Sequence, residues 1–172
     1  MRLAPADPPA PTLALVAGVA VQEVLVEQLP GQSVILKWPN DLLVDKAKIA
    51  GILLERVDQA VVIGTGVNIA FHPEDIGRPA TSIAALNGSA PDAGAFLEML
   101  ADRFSRWLQR WRAEGLGPVR QRWLAAAHRP GTALSTSEGE GLFEGLEPDG
   151  ALRLRVADGG VKIIHAGDVF LV

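Results

Sequence analysis

The chain has 172 residues, 48% apolar and 21% charged, with a net charge of −4 and no cysteine. A chain of this size and apolar share can bury about two-thirds of its unfolded surface, so a globular protein of one domain or one and a half is expected. Disulfides, thiolate catalysis and cysteine-based zinc sites are excluded, and the acidic balance argues against a nucleic-acid partner, which needs a clustered basic face.

Residues 1–11 carry Pro5, Pro8, Pro9 and Pro11, too many for a helix or a central strand. They also lack the cationic, apolar, small-residue order of an export signal. From 12 to 29 the residues Leu13, Val16, Ala17, Ala20, Val24 and Leu25 recur at helical spacing. A buried helix is expected there, with Thr12 as its cap and Pro30-Gly31 as its end. Gln22 and Glu23 interrupt its apolar run, so no membrane span is expected, and a cytoplasmic location follows. Three β-branched segments, 33–36, 49–57 and 60–69, read as strands, and the short break Asp58-Gln59 suits an antiparallel hairpin.

The stretch 71–91 is loose, with turns at Pro73, Gly77, Pro79, Gly88 and Pro91. Phe96, Leu100, Phe104, Trp107 and Trp111 then define an amphipathic helix ending near Glu114-Gly115, and a second helix runs over 118–127 behind Pro118. The aromatic stripe of Phe104, Trp107, Trp111 and Trp123 reads as core between them. The arginines 103, 106, 110, 112, 120 and 122 read as a solvated helix face. From about His128 the texture changes to short alternating runs, 132–135, 141–146, 151–156, 161–164 and 169–172, parted by Pro148-Asp149-Gly150 and Asp158-Gly159-Gly160. A small antiparallel β-barrel or sandwich is expected. His72, His128 and His165 stand far apart in sequence and form no metal-binding spacing, so no metal site is expected.

Residues able to carry chemistry gather in three segments. In Lys37-Trp38-Pro39-Asn40-Asp41 the proline forces Trp38 into extended backbone. Asn40 and Asp41 thereby stand at a strand end, where polar side chains can face a pocket. Lys48 sits where the chain enters the apolar strand, a place for a cation that meets a carboxylate or phosphate, while Lys46 is expected to be exposed. Gly51 inside that strand, and Gly64 and Gly66 in the next, weaken a sheet unless a backbone or ligand must come close. Two such strands, paired, clear one patch of sheet on which a flat ligand can lie.

Lys37-Trp38-Pro39-Asn40-Asp41, Lys48-Ile49-Ala50-Gly51-Ile52 and Gly64-Thr65-Gly66-Val67-Asn68, in that order, resemble the central catalytic domain of the biotin protein ligases. The resemblance covers nearly the whole chain. It implies an α+β fold: a mixed sheet with packed helices, like the class II aminoacyl-tRNA synthetases, over 1–127, and an SH3-like β-barrel over 128–172. It implies ATP, biotin and Mg2+, formation of biotinyl-5′-adenylate, and transfer to a lysine of a biotin carboxyl carrier protein of a biotin-dependent carboxylase. Lys48 matches the lysine at biotin's activated carboxyl group and the phosphate, and Asp41 an acid beside the reaction centre. Asn40 and Asn68 match positions near the adenosine, and Gly51, Ile52, Gly64 and Gly66 belong to the adenylate-binding strands. The family's Gly-Arg-Gly-Arg-x-Gly loop is absent, since the one Gly-Arg pair is Gly77-Arg78, in a different place. The chain is therefore expected to begin inside the catalytic domain, with a sheet edge left open, and sheet-edge pairing through the 49–69 hairpin would give a homodimer, as in some members of the family. A non-catalytic carrier-binding module and a lipoate-type ligase are the alternatives.

Overall fold

The computed structural model describes residues 1–74 and 77–172. Strands β1 (Val34–Lys37), β2 (Asp41–Val44), β3 (Ala47–Val57) and β4 (Ala60–Val67) form one sheet in that order, each pair antiparallel. The parallel component expected of a mixed sheet is confined to the isolated bridges Leu36–Ala127 and Lys48–Ala80. Helix α1 (Leu13–Gln28) packs on the sheet, and α3 (Ala93–Glu114) and α4 (Gly117–Ala125) pack on α1. Covered on both sides, α1 carries no polar side chain over Leu13–Val21, as a central helix must; its polar residues, Gln22, Glu23, Glu27 and Gln28, follow toward the C-terminal end. By length and composition alone Ala10–Gln28 would pass for a membrane span, yet most of it is buried inside the protein.

Thr12 does not cap α1. It ends a 3-10 turn (Ala10–Thr12), donates its hydroxyl to the Pro9 carbonyl at 2.6 Å and accepts the Trp111 indole N–H at 2.8 Å. The aromatic stripe is core, with Trp111 and Trp123 fully covered. Each arginine of the helical cluster has a partner within the chain: Arg103 with Glu27, Arg106 with Asp102, Arg110 with Glu114, Arg112 with Asp7, Arg122 with Glu23, and Arg120 with the Leu146 carbonyl.

Two elements were not expected from the sequence. The short helix α2 (Ile83–Asn87), capped by the Ser82 hydroxyl, interrupts the loose stretch. The strand β2 follows the Trp-Pro-Asn turn directly, where an extended exit was expected. Residues 38–40 close a hairpin, with the Trp38–Pro39 peptide cis. Two-residue loops close the others: Asp45 and Lys46 at φ 48° and 68°, and Asp58-Gln59 with Asp58 at φ 54°.

The second sheet comprises β5 (Ala133–Thr136), β6 (Gly139–Leu146), β7 (Leu152–Arg155), β8 (Val161–Ile164) and β9 (Val169–Leu171), all antiparallel, in the order β8-β7-β6-β5-β9. This is the small antiparallel C-terminal β unit expected from the short alternating runs. It is fastened to the turn that follows β1, where the Trp38 indole N–H donates to the Gly150 carbonyl at 3.1 Å, while the end of α4 that leads into it is held on β1 by the Leu36 N–H on the Ala126 carbonyl at 2.8 Å. Gly150 needs its glycine there, since its φ is 92° and a Cβ would stand 3.0 Å from Leu15 Cδ1.

Candidate functional site

In the β3–β4 hairpin Gly51 lies opposite Gly66, and Leu53 opposite Gly64. Above this face lies a cavity of about 710 Å³, bordered by both strands, by Asn40, Lys48 and Asn68, and by Pro73, Arg78 and Ala80 of the following loop. The glycines serve it in two ways. A Cβ at Gly64 or Gly66 would meet no atom closer than 3.7 Å, so the room those glycines leave is empty and open to a ligand. At Gly51 the room is already taken: a Cβ would stand 2.9 Å from the Lys48 ammonium and 3.0 Å from Lys48 Cε.

A β-bulge brings Lys48 to that place. Leu42 pairs with Ala50 but Leu43 with Lys48, so Ile49 is the extra residue. In a regular strand positions 48 and 51 would face opposite ways; the bulge puts them on one face. Asp41 is paired with Gly51 across β2–β3 and with Lys37 across β1–β2. The three charged side chains therefore converge. The Asp41 carboxylate, 6% exposed, takes the Lys48 ammonium on Oδ1 and the Lys37 ammonium on Oδ2 at 3.2 Å, with the Arg78 guanidinium 3.9 Å from Oδ2.

The backbone of Lys48 is pinned as firmly as its side chain is placed. Its N–H donates to the Pro79 carbonyl at 2.9 Å, and its carbonyl accepts from the Thr81 N–H at 3.0 Å and from Asn68 Nδ2 at 3.3 Å. Asn68 Nδ2 also donates to the Thr81 carbonyl at 2.9 Å, which commits both amide hydrogens and leaves its oxygen for a ligand. Asn40 Nδ2 donates to the Ile52 carbonyl at 2.7 Å, while the Ile52 N–H returns to the Asn40 carbonyl at 2.9 Å. Both asparagines thus border the cavity and also fix the strands that shape it. Ile52 contributes backbone only. Its side chain is buried beneath the sheet, with Cδ1 reaching to within 3.9 Å of a Cβ built at Gly18 of α1.

Every residue singled out from the sequence lies at this cavity or, for Asp41, in contact with a residue that does. Lys46 is exposed and takes no part. Sequence reasoning missed Lys37 and Arg78. The signal for Lys37 was its place four residues before Asp41 across a Trp-Pro-Asn turn, legible only once β2 is known to follow. Arg78 reaches the site from a loop whose path no local pattern encodes. Among the described residues no three of His, Asp and Glu gather at one point, and Asp41 is engaged by lysines. The described residues at this cavity therefore offer no carboxylate set for Mg2+.

Two family models match the chain: the biotin/lipoate A/B protein ligase family over residues 5–68, and the biotin protein ligase C-terminal domain over residues 134–172. A biotin--[acetyl-CoA-carboxylase] ligase of Paracoccus denitrificans is 38% identical over 92% of this chain and 72% of its own length. One of Mycobacterium tuberculosis is 32% identical over 91% of this chain and 61% of its own. Among solved structures, a biotin protein ligase from Aquifex aeolicus superposes with a TM-score of 0.85 at 25% identity, covering 95% of this chain and 76% of that one.

Proposed function

Because the chain belongs to the biotin protein ligase family, we propose that it activates biotin with ATP and passes the biotinyl group to a carrier lysine. A carboxylate oxygen of biotin attacks the α-phosphorus of ATP, and pyrophosphate leaves with the electrons of the broken P–O bond. The amine of the acceptor lysine then attacks the acyl carbon of biotinyl-5′-adenylate; AMP departs, and the amine loses a proton. The observation that carries this reading is the Lys48 ammonium at the rim of a glycine-cleared cavity, on a backbone held from both sides. A fixed cation there offsets the charge that develops on the carboxyl and phosphate oxygens.

In this reading Lys48 acts on the reacting oxygens, with Asp41 beside it. Asn40, Asn68, Gly51, Gly64, Gly66 and the Ile52 backbone form the seat of the adenylate. The names of the relatives support a biotin carboxyl carrier protein of acetyl-CoA carboxylase as acceptor. We divide the chain into a catalytic part, 1–127, and a C-terminal part, 128–172, and place it in the cytoplasm, where ATP and the carrier are met. No nucleic acid or membrane enters the scheme. The outer strand β4, beyond Ala60 and Val61 where Met1 and Arg2 already pair, with Val62 and neighbouring Leu53 exposed beside it, is the edge through which two copies would pair; sedimentation of the purified chain tests that.

The test of the activity is biotin-dependent exchange of pyrophosphate into ATP. Lys48→Ala is expected to lower it by ~10²- to 10³-fold, the effect of removing one well-placed charge-stabilising donor. Exchange that persists in Lys48→Ala, or that lipoate supports as well as biotin, overturns the reading.

A further inference from the structure

The two lysines on Asp41 are not equivalent. Lys48 borders the cavity and runs over the bare backbone of Gly51, so its ammonium has a path from the carboxylate to a ligand. Lys37 does not border the cavity. It is the direct cross-strand partner of Asp41, its side chain is the less exposed of the two, and the turn that joins it to Asp41 is tied down by Trp38 on Gly150 and Asn40 on Ile52. One cation can leave; the other stays.

A buried carboxylate abandoned by its only counterion is costly, because neither water nor a second charge replaces what it loses. If Lys48 alone held Asp41, each turn of its ammonium toward a reacting oxygen would be opposed by that cost. The second ammonium, on the other carboxylate oxygen, removes the opposition. We propose that Lys37 is a positioning residue of the adenylation site, which keeps Asp41 paired and thereby sets how readily the Lys48 ammonium leaves it for a ligand anion. The functional part of this statement rests on the ligase reading above; the sharing of Asp41 between two lysines does not.

Removing Lys37 leaves Asp41 to Lys48 and the more distant Arg78 guanidinium, so the Lys48 ammonium is held more tightly on the carboxylate. Competitive acylation by acetic anhydride, read at Lys48 by mass spectrometry, reports this on the purified chain without any turnover. In Lys37→Met the acylation of Lys48 is expected to slow by about threefold to tenfold. Lys37→Arg restores it. In the double variant Lys37→Met, Asp41→Asn the rate rises above that of Lys37→Met, since the carboxylate through which Lys37 acts is gone. The exchange reaction follows the same order: kcat falls about tenfold in Lys37→Met, with KM for biotin and ATP changing less, and recovers in Lys37→Arg.

Unchanged Lys48 acylation in Lys37→Met, or a loss in the double variant as large as in the single one, overturns the proposal. If acylation follows the expected order while no protein of the series, parent included, shows biotin-dependent exchange, the ligase reading fails and the shared carboxylate stands. Melting curves of each variant show which of them are folded. Lys37→Gln serves as a second neutral replacement should Lys37→Met not be.

Discussion

Replacing Gly51 by alanine separates the demands of the sheet from those of the site. The new methyl would stand 2.9 Å from the Lys48 ammonium, 3.0 Å from Lys48 Cε and 3.5 Å from Asp41 Oδ1. All three atoms belong to side chains, and the first two to the free end of a long one, so Lys48 shifts and the backbone does not. Alanine in a strand recovers about 0.5 to 1 kcal/mol of chain entropy relative to glycine. The weakened contact with Asp41 costs about as much, because Lys48 is partly exposed and Lys37 still holds the carboxylate. Net stability should therefore stay within about 1 kcal/mol, a shift in Tm of about 2 to 4 °C for a chain of this size. Activity should not be spared. A charge-stabilising group displaced by about 1 Å costs on the order of 10²-fold in rate. Calorimetry and pyrophosphate exchange on the same preparation give both numbers. Exchange within threefold of the parent, or a fall in Tm beyond about 10 °C, would refute the assignment of Gly51 to the seat of Lys48.

Gly141→Ala is the contrasting case: its Cβ would lie 2.6 Å from the Arg155 carbonyl oxygen and 2.8 Å from Leu154 Cγ, where backbone must yield. A loss of about 2 to 3 kcal/mol is expected in urea unfolding, and an unchanged midpoint would mean that β6 and β7 are not so closely spaced. Trp38→Phe deletes the indole N–H that meets the Gly150 carbonyl and shrinks a buried ring. It should cost about 2 to 3 kcal/mol, and equal stability would show that this bond does not fasten the two sheets. Burial, and then the charge of Lys37, holds the His128 imidazole below its ordinary value of 6.5, with Nε2 buried and unpartnered among the described residues. Above pH 6.5 both folded and unfolded chains keep this group neutral; as pH falls below it, the unfolded chain takes the proton first and stability drops. His128→Leu should remove that component, so the melting temperature of the variant minus that of the parent, measured from pH 7.5 downward, should rise as pH falls through about 6. A constant offset would contradict it.

Much of the molecule could be read along the chain because the physics there is local. Apolar residues at helical spacing announced α1 and α3, the Asp58-Gln59 break announced the β3–β4 hairpin, and the glycine turns at 148–150 and 158–160 announced the C-terminal strands. Glycine inside two apolar strands marked a cleared patch, since a bare backbone in a sheet needs a reason. The motifs also carried the family.

What the sequence left open depends on register. Strand β2 is hidden because Asp41–Val44 is short and follows a proline turn at once; without it, Asp41 has no assigned neighbours. The bulge at Ile49 decides that Lys48 and Gly51 share a face, and a one-residue difference in pairing reverses the face of every side chain beyond it. The sequence by itself therefore determined which residue types border the cavity and on which strands they lie. Only the tertiary structure decided that Gly51 makes room for a lysine, that Ile52 belongs to the core beside Gly18, and that Lys37 and Arg78 stand around the same carboxylate, because those contacts form between segments whose relative alignment no single segment encodes.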